Sequence, residues 1–149
     1  MTSTTSAGTR LFISAALPAA ETKAGYEALA WTEITGVQTI PAFGPSVGEN
    51  SYQPLNGPEE VHKGPVSYGS LTVPYAYDKQ DAGQAMLRQA AKPGDNALRS
   101  FKVQYPNNDA RYNQGRVFSA TEEPGSATNV VMGSALIRFS KQQVDVDAA

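Results

Sequence analysis

Short runs in which apolar and polar residues alternate dominate the chain, and this two-residue period is typical of half-buried β-strands. The first run covers residues 9–17, with Leu11 and Ile13 on one face, and Pro18 ends it. Each later run has a similar length and is bounded by Pro, Gly or Asn, as expected for antiparallel strands. These further predicted strands cover residues 31–40, 66–78, 100–107, 111–120 and 130–140.

The clearest alternation lies in residues 66–77 and separates two faces. The apolar face, which we predict to lie in the core, consists of Leu71, Val73 and Tyr75. The opposite face carries the short hydroxyl side chains of Ser70 and Thr72. Pro74 cannot donate a ladder hydrogen bond, so this strand is predicted to lie at an edge, a bulge or a bend.

One segment has a helical period instead. Asp81 can accept hydrogen bonds from the free N–H groups of a first helical turn, and Gln84 can reach back to Asp81, as in a capping box. The helix is predicted over residues 82–91. Its apolar stripe includes Met86 and Leu87, so the helix should lie on a sheet and place both side chains in the core.

Residues 41–65 are rich in proline and glycine, and no hydrophobic period is visible there. A loop of this length within a compact domain is usually either functional or disordered. Tyr52 and Leu55 would serve no purpose in a disordered linker. We therefore predict a projecting loop that docks on another molecule through these two residues.

The pattern predicts one domain of the α+β class that is mainly β. It would be an antiparallel β-sandwich or small barrel with one α-helix packed on it. Residues 1–8 are predicted to form a flexible arm, residues 9–141 the domain, and residues 142–149 a C-terminal tail. The stretch 18–29 is interpreted mostly as loop, because Gly25 interrupts a poor apolar spacing.

Composition excludes several classes of protein. The chain has 149 residues, a net charge of −2 and no cysteine. Its basic residues are scattered, which argues against a nucleic-acid binder that grips phosphates. No apolar run is long enough to span a bilayer, and the first residues lack the pattern of a secretory signal. Charged residues make up only 17% of the chain, which fits either extensive contact between subunits or a neutral polar surface rich in Ser, Thr, Gln and Asn.

No residue pattern indicates catalysis, so we expect no catalytic residue, no cofactor and no metal. The sole histidine, His62, lies beside Glu59 and Glu60, but this spacing lacks the further ligands of a metal site. The same histidine would have to serve any Ser–His–Asp arrangement. No phosphate-binding glycine pattern occurs. Glu122 and Glu123 are interpreted as an exposed acidic turn.

The order of several short motifs resembles the major tail tube proteins of long, non-contractile-tailed bacteriophages, the lambda type. The motifs are GTRLFIS at 8–14, YDKQDAGQAMLRQA at 77–90, FKVQYPN at 101–107, GRVFSA at 115–120 and NVV at 129–131. Each motif is weak alone, but five in the same order extend over roughly residues 8–140.

The resemblance implies a structural virion protein rather than an enzyme. Subunits would form hexameric rings with a shared inner β-barrel, and stacked rings would form a conduit for DNA. The loop 41–65 would reach a neighbouring subunit or ring, and Ser70 and Thr72 would face the lumen. Implied partners are further copies of the chain and the tape-measure, tail terminator and baseplate or tail-tip proteins. DNA would pass without sequence-specific binding, and no membrane would be involved. The protein would assemble in the bacterial cytoplasm and reside in the phage tail.

Two alternatives remain at this point. The same fold serves tail terminators, head–tail connectors and the tube protein of type VI secretion. A different class is a monomeric β-barrel that binds a ligand between helix and sheet.

Overall fold

The computed structural model describes Ser3 and residues 5–147, and within them the chain forms nine strands and two helices. The helices are α1 (Lys23–Glu27) and α2 (Ala82–Ala90). The strands are β1 (Arg10–Ser14), β2 (Thr32–Ile34), β3 (Ser46–Tyr52), β4 (Glu60–Ser67), β5 (Ser70–Ala76), β6 (Arg99–Gln104), β7 (Ala110–Glu123), β8 (Met132–Phe139) and β9 (Val144–Val146).

Seven strands form one antiparallel sheet in the order β2-β1-β6-β7-β8-β5, and β9 pairs with β7 beside β8. The mainly antiparallel β architecture is therefore confirmed. The 14-residue strand β7 organises the sheet, because its first half pairs with β6 and its second half pairs with β8. β5 lies at the end of this order, as Pro74 predicts.

The two ends of the sheet meet through the segment that follows β2. Val37 forms an isolated bridge with Tyr75. The N–H of Ala76 donates to the carbonyl of Gly36 at 2.9 Å, and the N–H of Gln38 donates to the carbonyl of Pro74 at 3.1 Å. The sheet thus curls into a nearly closed barrel, and the last residues of β5 have backbone partners on both sides.

The main core lies on the concave face of the sheet, beneath α2. The alternation seen in the sequence explains it, because every second residue of β1, β5, β6 and β8 points to this face. Core side chains include Leu11, Ile13, Leu71, Val73, Tyr75, Leu87, Phe101, Val103, Ile137 and Phe139. Burial of these apolar side chains is the main contribution to folding.

A second cluster lies on the opposite face of the sheet and is covered by α1. Tyr26 of α1 is fully buried and stacks on Tyr112 of β7, with ring centroids 5.0 Å apart. Trp31 also contacts Tyr112, at 5.7 Å, and its Nε1–H donates to the carbonyl of Tyr26. Two helices therefore pack on this sheet, one on each face.

The interpretation of residues 18–29 as mostly loop was wrong over Lys23–Glu27, which form α1. Thr22 caps this helix by accepting from the N–H of Gly25. Gly25 does not prevent this helical turn, and a Cβ at this position would overlap the carbonyl oxygen of Ala20. A close backbone approach requires this glycine, so its presence is compatible with one helical turn.

The prediction of a structureless loop over 41–65 was wrong. Most of this segment forms an antiparallel hairpin, in which β3 pairs with β4 and the tip covers residues 53–59. Nearly all of its residues are exposed, so neither strand shows the alternation of a strand packed on a core. The hairpin is a separate two-stranded sheet that projects from the domain.

Two boundaries also differ from the predictions. The strand expected over 66–77 is broken at Gly69, whose φ of 91° separates the hairpin strand β4 from β5. The predicted tail 142–149 contains the strand β9, which pairs with β7. Of the predicted arm 1–8, residues 1, 2 and 4 lie outside the described residues, as do 148 and 149 of the tail.

Candidate assembly surface

One part of the convex sheet face is left bare. The helix α1 covers β6 and the first half of β7, whereas no element covers the same face of β5, β8 and the second half of β7 in the described part of the chain. We call this region the bare face. Ser70 and Thr72 of β5 lie on it and are exposed, while the intervening Leu71 is buried.

The bare face carries cations as well as hydroxyls. Ser70 pairs with Arg138 of β8, and Arg138 pairs with Arg116 of β7, so the three side chains lie side by side on one face. The guanidinium of Arg138 lies 5.4 Å from the ring centroid of exposed Phe118. At the level of Ser70, this face therefore carries arginines beside the hydroxyls.

Arg116 is held in place by polar contacts. Its Nε–H donates to the carbonyl of Asn96 at 2.9 Å, and Nη1 lies 3.4 Å from the hydroxyl of Ser140. A bulge in β7 near Phe118 shifts the register against β8 and turns the Phe118 ring toward Arg138. These contacts and the bulge hold Arg116 and Arg138 side by side, and we call this pair the arginine row.

Two lengths of strand edge have no strand partner among the described residues. β6 pairs with β7 only as far as Gly115, which leaves the same edge of β7 unpaired over residues 116–123. At the other end of the sheet, the outer edge of β5 is bridged near Tyr75 but not over residues 70–73. Unpaired edges are templates for pairing with another chain.

The hairpin offers a second exposed surface. Leu55 at its tip is fully exposed, and Tyr52 is 55% exposed. Across the hairpin, the Tyr52 hydroxyl donates to the Glu60 carboxylate, and the Tyr52 ring stacks on His62 with centroids 6.2 Å apart. The hydrogen bond to Glu60 raises the pKa of Tyr52, because it stabilises the protonated phenol.

Asp81 lies at the N-terminus of α2 as its cap. One carboxylate oxygen accepts from the N–H of Gln84 and from the N–H of Thr35, both at 3.1 Å. The second contact joins the helix start to the chain that leaves β2. Asp81 therefore fixes the position of α2 as well as its first turn.

Gln84 does not make the reciprocal contact of a capping box. Its side chain is fully buried and bonds three other backbone groups. Oε1 accepts from the N–H of Asp78 at 2.8 Å, and Nε2 donates to the carbonyls of Thr35 at 2.8 Å and Ala76 at 2.9 Å. The predicted bond from Gln84 to Asp81 was wrong, because the deeper position offers carbonyls that would otherwise lack a donor.

The predicted core residues lie around one cluster. Leu71, Val73, Tyr75 and Leu87 are buried, and Met86 packs half-buried at its margin. The helix itself lies over β1, β2 and β7, and the apolar face of β5 reaches the same cluster from the side. Burial raises the pKa of the Tyr75 hydroxyl.

The described residues contain no group of three His, Asp or Glu side chains that could hold a metal ion. His62 lies exposed on the hairpin, 3.8 Å from Glu60. Within the same part of the chain, no helix has the length and apolar character needed to cross a bilayer.

Sequence reasoning missed the arginine row. Arg116 and Arg138 are 22 residues apart, and only the strand register brings them together. The signal was present in part, because each arginine occupies the polar phase of an alternating strand. Because of the bulge at Phe118, the alternation alone does not give the register of β7 against β8.

Solved structures share this fold at low sequence identity. The SPP1 tail tube superposes with a TM-score of 0.68 at 18% identity, over 98% of this chain and 80% of that chain. A chain of the anti-feeding prophage baseplate, described as 6-fold symmetrised, gives a TM-score of 0.70 at 9% identity, with 99% of both chains covered. A chain of the tail of an empty gene transfer agent particle, refined with C6 symmetry, gives 0.64 at 14% identity, over 92% of this chain and 96% of that chain.

No known protein family and no curated protein matches the chain in sequence. The structural similarity nevertheless covers nearly the whole chain in each comparison. The chain therefore has the fold found in these subunits of a tail tube, an anti-feeding prophage baseplate and a gene transfer agent tail.

Proposed function

We propose that this protein is a structural subunit of a phage-type tail tube, which polymerises as stacked rings around a channel. The observation that carries the proposal is the match of nearly the entire chain to subunits of such assemblies, including the SPP1 tail tube. The role is structural rather than catalytic. It places the protein in the virion, after assembly in the host cell.

Ring formation is supported by the unpaired edges of β5 and β7. A ring in which the sheet of one subunit continues into the next would satisfy both edges and form an inner barrel. Two of the similar structures were treated with six-fold symmetry, which supports a hexameric ring for this chain. Because closed rings remove strand edges, isolated subunits should be prone to association.

The bare face is the part of the subunit that would line the channel. It has no helix over it, and Ser70 and Thr72 give it a small polar surface beside Arg138. DNA would pass along it without sequence-specific binding. Tape-measure, terminator and tail-tip proteins would be the remaining partners.

The hairpin is proposed to dock on a neighbouring subunit or ring. It projects from the domain and exposes Tyr52 and Leu55, neither of which belongs to the core. Replacement of both by serine should leave the domain folded, because neither residue contributes to the core. The double variant should form rings or tubes poorly, and normal tubes would contradict the docking role.

Electron microscopy of the purified protein tests the function itself. Negative-stain images should show tubes or stacked rings with a central channel. Single rings that never stack would favour a terminator or connector, and monodisperse monomers at all concentrations would favour a ligand-binding barrel. The control for the hairpin variant is Leu17→Ser, which removes an exposed leucine outside both the hairpin and the bare face and should leave tube formation unchanged.

A further inference from the structure

Three of the six arginines have a carboxylate partner among the described residues, and Arg88 of α2, Arg116 and Arg138 have none. Arg10 pairs with Glu33 at 2.7 Å and Arg99 with Asp95 at 2.7 Å, while Arg111 lies 3.5 Å from Asp145 and 3.4 Å from Asp147. Arg116 and Arg138 are directly opposed across the strands β7 and β8, and no carboxylate of the described residues lies within 4 Å of either.

The far end of the same strand pair carries the opposite charge. Glu123 lies opposite Met132 on the bare face, and Glu122 precedes it. Neither forms an ion pair among the described residues, and both are exposed. Asp78 and Lys79, in the connection after β5, lie at this end and offset each other in charge. Arg88 of α2 and Glu122 both act on the Tyr75 hydroxyl, so Arg88 offsets part of the negative charge. An excess of negative charge remains at this acidic end, with Glu123 on the bare face.

The two ends are well separated along β7. From Arg116 to Glu123 the strand advances seven residues, which is about 23 Å at about 3.3 Å per residue. Attraction between exposed charges at this distance is screened at physiological salt, where the Debye length is about 8 Å. The two charged ends therefore cannot satisfy each other within one subunit.

The row of Arg116 and Arg138 is unfavourable in a free subunit. Like charges placed directly opposite each other across an antiparallel pair destabilise it. Local conflicts of this kind are expected at functional sites, where an external group compensates for them. An anionic partner would relieve the repulsion between Arg116 and Arg138.

We propose that this partner is the Glu122–Glu123 end of a second copy of the chain, seated head to tail in the next ring of the tube. The inference rests on the proposed function. A contact that joins two different patches of identical subunits repeats indefinitely and generates a filament, which is the geometry a tube requires. The charges at the two ends are complementary, and each end is unpaired in the subunit.

The direction of the hairpin agrees with this seating. β4 leads into β5 at Ser70, the residue paired with Arg138, so the hairpin projects from the arginine end. A copy seated on that end is the copy the hairpin could reach. Electrostatic pairing would then set the polarity of stacking, and the hairpin would add contact area on the same neighbour.

A charge-exchange experiment tests the proposal in the full-length protein. Variant one carries Arg116→Glu and Arg138→Glu, so both of its ends are acidic. Variant two carries Glu122→Arg and Glu123→Arg, so both of its ends are basic. For each variant alone, the protein concentration at which light scattering detects polymerisation should be at least about tenfold higher than for wild type. Low salt should raise this concentration further, because it strengthens the repulsion between like-charged ends. An equimolar mixture should polymerise, because acidic and basic rings can alternate.

A control variant carries Lys23→Glu and Lys92→Glu, which change net charge as much as variant one but lie outside the bare face. It should polymerise like wild type. Thermal unfolding establishes that each variant folds, and the milder pair Arg116→Gln with Arg138→Gln replaces variant one if it does not. Polymerisation of each reversed variant alone at the wild-type concentration would overturn the proposal, as would a folded mixture that stays unassembled.

Two further readouts separate this proposal from others. If wild-type protein forms no rings or tubes in micrographs, the proposed function fails, whatever the variants do. If the arginine row instead contacts DNA, wild type should bind a fluorescein-labelled duplex in low salt, variant one should lose that binding, and its polymerisation should be unchanged. That combination would overturn head-to-tail pairing while leaving the tube function intact.

Discussion

Replacement of the buried Gln84 by methionine tests how α2 is attached to the sheet. Methionine has nearly the same shape but cannot make the three hydrogen bonds of the Gln84 amide. The carbonyl of Thr35 at 2.8 Å, the carbonyl of Ala76 at 2.9 Å and the N–H of Asp78 at 2.8 Å would all lose this partner. Thr35 directly follows β2, whereas Ala76 and Asp78 lie at the end of β5 and just after it, so the substitution removes a link between β2, β5 and α2.

The magnitude follows from the number of bonds and their burial. A hydrogen bond contributes about 1 kcal/mol net, and a buried group left without a partner costs about 1–3 kcal/mol. Water can reach the chain at Asp78 and at Thr35 once the amide is gone, since both residues are exposed, whereas Ala76 is half-buried. We therefore expect the free energy of unfolding to fall by about 3–5 kcal/mol, a large part of the typical 5–15 kcal/mol of a domain.

Urea unfolding of the subunit, followed by tryptophan fluorescence of Trp31, measures the effect. The control is Gln89→Met, which makes the same substitution at an exposed position of the same helix. The control should change the free energy of unfolding by less than about 0.5 kcal/mol. A loss below about 1 kcal/mol for Gln84→Met would refute the argument that this amide links the three segments.

Three further variants test the helix cap, the proposed channel face and one ion pair. Asp81→Ala should lower the free energy of unfolding by about 1–2 kcal/mol in thermal melts, since the cap and the bond to Thr35 are both lost; an unchanged melting temperature would contradict the cap. Ser70→Arg with Thr72→Arg should slow DNA ejection from virions, most strongly at low salt, because it adds unpaired cations to the proposed channel wall; ejection at the wild-type rate would mean that the bare face does not line the channel. Glu33→Gln should cost less than about 1 kcal/mol at neutral pH, because the Glu33 pairing with Arg10 is exposed. The hydrogen bond from Arg10 lowers the pKa of Glu33 in the folded state, so the contribution is present above the unfolded pKa and is lost as pH falls through the folded value. A difference between Glu33→Gln and wild type that persists at pH 2 in urea titrations would contradict this assignment.

Strands that pack on the core were predictable from the sequence, because burial of one face produces a two-residue period. The alternation of Leu71, Val73 and Tyr75 identified the buried face of β5, and the cap and stripe identified α2. The hairpin could not be predicted in this way. Its strands bury neither face within the subunit, so no period marks them, and Pro65 lies within one of them.

The remaining differences depend on tertiary contacts. α1 has only five residues and is stabilised by the burial of Tyr26 on Tyr112, a contact between residues 86 positions apart. Gln84 has the composition of a capping box, but its burial selects other partners. The arginine row depends on the register of β7 and β8, which a bulge shifts. Alternation indicates which face a residue occupies, but it does not identify its neighbour across the sheet.

The hairpin has a consequence for how growth of a tube would begin. A two-stranded sheet with no core is only marginally stable in water, so β3 and β4 should open and close in the free subunit. The first two rings to meet must order their hairpins before contact area compensates for the lost entropy. This creates a nucleation barrier, whereas a ring already ordered by another tail component would act as a template. At the lower concentrations of a cell, free subunits would then accumulate until an initiating complex starts elongation, whereas concentrated purified protein would cross the barrier and form tubes without one.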